Sequence, residues 1–100
     1  MMIERNEFRI KFGKMKEAKA LWLEITQVLK PEMAAKFRLL TDLTGPSYTL
    51  VLESELKDFL HLTLQQEKWK ASSRVAELYR QFMEVCNSSE RVLYNVEYES

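Results

Sequence analysis

From Glu7 to Phe12 apolar Phe8, Ile10 and Phe12 alternate with charged Glu7, Arg9 and Lys11. Strict period-two alternation predicts a strand with one buried face, and Gly13 then punctuates the chain. Between Met15 and Lys30 the period changes. Ala18, Leu21, Trp22, Ile25, Val28 and Leu29 recur at three- and four-residue steps, with Lys16, Glu17, Lys19, Glu24 and Gln27 largely opposite. That is one face of an α-helix. Pro31 stops it near Leu29 or Lys30, or starts a short extra turn through Ala35.

A second strand is expected over Phe37–Leu43, with Phe37, Leu39 and Leu43 on one side. Thr44-Gly45-Pro46-Ser47 is the strongest turn signal in the chain. Alternation resumes over Tyr48–Glu53, so these two strands form an antiparallel hairpin. Leu56, Phe59, Leu60 and Thr63 return to helical spacing. The pattern lapses between Gln65 and Ser73 except for Trp69, then Val75, Leu78, Tyr79, Phe82 and Cys86 restore it. This reads as one long helix, or two joined by a kink near Gln66–Ser73. Asn87-Ser88-Ser89 breaks it. A last strand over Arg91–Glu99 sets Val92, Tyr94, Val96 and Tyr98 against Leu93, Asn95 and Glu97.

The order β-α-β-β-α-β, with right-handed crossovers and a central hairpin, is the α+β ferredoxin-like topology. It implies a four-stranded antiparallel sheet in the order 4-1-3-2, with two helices on one face. The other face is then left uncovered. It is expected to collect Arg9, Lys11, Arg38, Leu40, Asp42, Thr49, Val51, Glu53, Leu93, Asn95 and Glu97. A solvated monomer face is one reading of that mixture. Three aliphatics among charges of both signs favour the other, a two-fold homodimer that closes the sheets around a polar interior.

Composition narrows the partners. The 100 residues suit one domain, 1–100, and 15 basic residues balance 15 acidic ones, for a net charge of zero. Nucleic-acid binding is not expected without a basic surplus. Lys68, Lys70 and Arg74 flank Trp69, but Glu67 interrupts them and a solvated helix face is the better reading. Cys86 is the single cysteine, which fits a buried thiol in a reducing compartment. Charges interrupt Met1–Lys11, and no apolar stretch approaches signal-peptide or membrane-span length. A soluble cytoplasmic protein without membrane partners is expected.

Candidate chemistry is sparse. His61 is the only histidine, and one histidine with one cysteine makes no metal-ligand cluster. Gly13 and Gly45 are the only glycines, so nucleophile-elbow and glycine-rich phosphate motifs are absent. No metal or cofactor is expected. Trp22 reads as core. Trp69, in the irregular stretch, either seals the core or walls a pocket. Arg9, Arg38, Asp42, Glu53 and Asn95 either floor a polar cavity or satisfy one another across the sheet.

The element order, the opening ERNEFRIKFG, the split helix within SELKDFLHLTLQQEKWKASSRVAELYRQF and the closing RVLYNVEY together resemble the dimeric α+β barrel superfamily. The long second helix and last strand look most like NIPSNAP-like and antibiotic-biosynthesis-monooxygenase-like members. The resemblance implies a homodimer. In the haem-degrading branch, Asn6 would match a first-strand asparagine and Phe59 an early aromatic. Ser72 or Ser73 falls where the ligating histidine belongs, and serine does not hold haem iron comparably. Haem degradation is therefore disfavoured.

Two functions follow as expectations. The first is a homodimeric binding or interaction module, with a small-molecule ligand in a polar inter-sheet cavity. The alternative is a cofactor-independent, monooxygenase-like enzyme acting on an aromatic or polycyclic substrate. There His61 would be the base, Phe59 and Trp69 the pocket walls, and Asn6 an orienting group. Arg9, Arg38 and Asn95 complete the candidate pocket.

Overall fold

The first strand runs Met2–Ile10 and is followed by a helix over Met15–Leu29; these are β1 and α1. A hairpin of β2 (Phe37–Thr41) and β3 (Thr49–Leu56) leads to α2 (Phe59–Ala71), α3 (Ser73–Val85) and β4 (Cys86–Asn95). This computed structural model describes residues 1–29 and 36–100. The extra turn considered for Pro31–Ala35 lies outside the described residues. All four strands form one antiparallel sheet in the order β2-β3-β1-β4, the α+β ferredoxin-like arrangement. Among the described residues, no helix is long and apolar enough to cross a membrane.

Phe8 and Ile10 of β1 and Leu50 and Leu52 of β3 turn toward the helices. They meet Ala18, Leu21, Trp22, Ile25 and Leu29 of α1 and Val75, Leu78, Phe82 and Val85 of α3. Trp22 is the hub. Its ring lies 6.0 Å from Phe8, 5.3 Å from Phe82, 5.5 Å from Trp69 and 6.1 Å from Tyr79, centroid to centroid. Tilted and edge-on pairs of this kind contribute about 0.5–1.5 kcal/mol each beyond their area.

The kink falls at Ser72. Its extended backbone interrupts the helix, and its hydroxyl accepts the Val75 N–H at 3.2 Å to cap α3. Asp58 caps α2 in the same way, accepting the His61 N–H at 2.9 Å. The two caps satisfy amide donors that each helix start leaves without an intrahelical acceptor.

Several element edges differ from the sequence expectation. β1 begins at Met2 and ends at Ile10, and Phe12 is 84% exposed beyond it, its ring against that of Tyr48. Leu56 belongs to β3, paired with Met2, rather than to the following helix. Phe59 and Leu60 are exposed, and Leu62 is the residue that α2 buries. Val28 is also exposed, at the margin of the α1 stripe. Asn87-Ser88-Ser89 does not form a loop: α3 passes directly into β4.

The largest correction concerns β4. Directly opposed residues of antiparallel strands share a face, and Arg5 opposes Val92 while Glu4 opposes Leu93. Val92 and Tyr94 therefore stand on the open face, and Leu93 and Asn95 on the helix-covered face. This reverses the expected assignment. The strand takes its facing from its pairing with β1, which shifts register between Arg9 and Ile10. A one-residue slip exchanges the faces of every side chain.

Candidate functional site

The core cluster around Trp22 takes Phe8 and Ile10 from β1. Toward Met2 the residues on the helix-covered face are Asn6 and Glu4, and the β3 residue opposite Glu4 is Ser54. These polar side chains interrupt the inward apolar surface, which resumes at Leu52 and Leu56 of β3. A cavity of about 430 Å3 remains there between the sheet and α2. Its sheet wall includes Glu4, Asn6, Leu52 and Ser54, and its helix wall includes Trp22, Leu62, Gln65, Trp69 and Tyr79. Lys68, Lys70 and Arg91 also line it, so three cationic side chains accompany one carboxylate.

The polar groups around the cavity differ in how far they are already engaged. Glu4 Oε2 lies 2.9 Å from Arg91 Nε, an ion pair at the cavity wall. Burial, reinforced by the neighbouring Cys86 thiol, pushes the Tyr79 hydroxyl above its ordinary value. Burial likewise raises the Cys86 thiol. Tyr79 is therefore a protonated donor at neutral pH rather than a base. Trp22 is 2% exposed, and its Nε1–H is the only buried side-chain nitrogen or oxygen among the described residues with no hydrogen-bond partner. Leaving such a donor unsatisfied costs about 1–3 kcal/mol. The wall therefore combines aromatic side chains with polar and cationic ones.

Of the residues singled out from sequence, Asn6 and Trp69 meet in this cavity. Phe59 is 67% exposed at the start of α2 and does not line it. His61 sits one turn above the α2 cap, where its Nδ1 accepts the Lys57 N–H at 3.2 Å, and it too lies outside the lining. Ser72 serves as the α3 cap. Asn95, at the end of β4, donates to Glu97 Oε1 at 3.1 Å.

Arg9 and Arg38 stand on the open face of the sheet. There Glu53, 6% exposed, receives Arg5 at 2.8 Å and is also bonded by Arg38. Hydrogen bonds from these two guanidinium groups hold the Glu53 carboxyl below its ordinary range. The Arg5 guanidinium lies 5.5 Å from the centre of the Tyr94 ring. Arg9 bonds Thr49 and lies 3.3 Å from Glu7. The charges of this face thus largely satisfy one another. A second depression of about 310 Å3, lined by Lys36, Arg38, Glu53 and Glu55, opens beside them. Among the described residues, no group of three or more histidine, cysteine, aspartate or glutamate side chains is placed to hold a metal ion.

Sequence reasoning missed Trp22, Tyr79, Glu4 and Arg91 as cavity residues. The signal was present in β1. Extending its alternation back to Met2 places Glu4 and Asn6 inward, where a packed strand would carry apolar side chains.

No protein-family model and no curated protein matches the sequence. Solved structures do match the fold. A NIPSNAP family protein from Agrobacterium tumefaciens superposes with a TM-score of 0.82 at 17% identity, covering 94% of this chain and 90% of its own. An uncharacterised NIPSNAP domain protein from Burkholderia xenovorans gives 0.83 at 20% identity, with 96% and 94% covered. A putative antibiotic biosynthesis monooxygenase from Nitrosomonas europaea gives 0.77 at 15% identity, with 98% and 100% covered. The chain thus has the ferredoxin-like fold shared by NIPSNAP family and antibiotic-biosynthesis-monooxygenase-like proteins.

Proposed function

We propose that this protein is a small-molecule binding module whose ligand occupies the cavity between the sheet and α2. The observation that carries this reading is the convergence of Asn6, Trp22, Trp69 and Tyr79 on about 430 Å3 of space. That volume lies within the range of roughly 300–1,000 Å3 typical of ligand sites. Binding is favoured over catalysis because the cavity's titratable oxygens are not poised as bases. Glu4 is engaged by Arg91, Tyr79 is held protonated, and His61 lies outside. The single cysteine supports a cytoplasmic setting.

Two copies pair through their open faces in this proposal. Ile3, Leu40, Val51, Val92 and Tyr94 stand there around the Arg5–Glu53–Arg38 group. Pairing encloses those charges as a polar layer between two sheets, with Arg9 and Arg38 within it. Light scattering should then give twice the 11.9 kDa chain mass. A single-chain mass at high micromolar concentration contradicts the pairing.

The cavity is tested by a thermal-shift screen of two- and three-ring aromatic compounds. A ligand at one hundred times its Kd stabilises the folded state by about 2.7 kcal/mol. The wild type should show that shift with at least one compound, and Trp69→Ala should lose it. A screen without any shift, or an equal shift in the variant, contradicts the reading.

A further inference from the structure

We propose that the cavity takes an amphipathic acid, one carboxylate on an apolar body, and that Arg91 and Asn6 hold the carboxylate. The inference rests on the cavity being a ligand site, as argued above, and adds the chemical class of its guest. Arg91 and Asn6 are directly opposed in the β4–β1 pair, so their side chains stand together on the helix-covered face. Both line the cavity. The Asn6 side-chain amide makes no hydrogen bond among the described residues. Arg91 meets Glu4 through Nε alone, so its two terminal amino groups have no partner among the described residues. Its side chain is 44% exposed, so a solute can reach it. A guanidinium takes a carboxylate through paired N–H groups, and the adjacent Asn6 amide supplies a further donor.

The rest of the lining sets the polarity of the guest. Lys68 and Lys70 also line the cavity, and Glu4 is the one carboxylate among its described lining residues. With Glu4 offset by Arg91, the two lysines leave the lining cationic. The far side is apolar. Leu52 of β3 lies opposite Asn6, Phe37 of β2 lies beyond it, and Leu29 lines the cavity from α1. β4 and β2 are the two edges of the sheet, three strand spacings or roughly 14 Å apart. An acid laid across the sheet keeps its charge at β4 and buries its chain toward β2.

The test titrates octanoate and octanamide by calorimetry; the two share an alkyl chain and differ in charge. Neither carries a ring, so the outcome is separate from that of the aromatic screen. Octanoate should bind roughly tenfold more tightly, since hydrogen bonds to a charged acceptor are about twice as strong as neutral ones. It should also move the Asn6 side-chain amide signals in proton–nitrogen correlation spectra. Glu4→Gln removes the lining carboxylate, so it should strengthen octanoate binding and leave octanamide unchanged. Equal affinities, tighter octanamide, octanoate binding without a shift at Asn6, or a folded Glu4→Gln variant that binds octanoate no better each overturns the acid assignment and leaves the cavity as a site. No binding by either compound overturns it as well, and the aromatic screen then decides whether the cavity binds at all. The wild-type comparison needs no variant, so it decides the matter even where Glu4→Gln fails to fold.

Discussion

Replacing Asn6 by leucine should make this protein more stable and less able to bind. Asn6 points from β1 into the cavity, opposite Leu52 and two residues before buried Phe8. Complete burial of a leucine side chain stabilises by about 1.5–3 kcal/mol. The cavity stays partly open, so roughly half of that, about 1 kcal/mol, is expected, in line with cavity-filling substitutions generally. For a small domain, urea denaturation should show the midpoint rising by about 0.5–1 M at unchanged slope. The thermal shift given by an aromatic ligand should shrink or vanish in the same variant. The two readouts moving in opposite directions are what identify Asn6 as a site residue. If Asn6→Leu lowers stability by about 1 kcal/mol or more, or leaves ligand affinity intact, the cavity is not spare volume kept for a guest.

Three further outcomes follow from individual contacts. Glu53→Gln removes the carboxylate shared by Arg5 and Arg38 and should cost about 1 kcal/mol at pH 7, discounted because both arginines are substantially exposed. Folding lowers the Glu53 carboxyl below its ordinary 4.5, so its contribution is present above that pH and is lost as pH falls through the lower folded value. The stability gap between wild type and variant, measured by urea titration, should therefore close in acid; a gap that widens there refutes the assignment. Ser72→Ala removes the α3 cap and should cost about 1 kcal/mol, read as a lower thermal midpoint. Leu40→Lys, on the open face, should halve the mass seen by light scattering while leaving the circular dichroism spectrum unchanged; a persisting dimer moves the interface elsewhere.

Periodicity made the fold legible. Alternation in Glu7–Phe12, helical spacing in Ala18–Leu29 and the Thr44–Ser47 turn were enough to give element order and strand order. The facing of β4 was not legible, because its apolar residues Val92 and Tyr94 suggest burial against helices. Pairing with β1 turns them outward, and Tyr94 stacks on Arg5 instead. Register is a tertiary property that composition cannot supply for a strand with side chains of mixed character on both faces. The cavity was half legible. Asn6 was singled out by the resemblance to a first-strand asparagine, and Trp69 as an aromatic in irregular surroundings. Trp22 and Tyr79 fit the apolar stripes of α1 and α3 so well that packing accounted for them. Phe59 was singled out by the resemblance to an early helical aromatic, and His61 as the one histidine. The turn that Asp58 caps leaves Phe59 exposed and sets His61 against the Lys57 amide.

The most direct test is a crystal structure of the protein with a planar aromatic ligand identified by thermal shift. The account predicts the ligand between the sheet and α2, against Asn6, Trp69 and Tyr79. A ligand found in the depression of Lys36, Arg38, Glu53 and Glu55, or between the open faces of two copies, would contradict it.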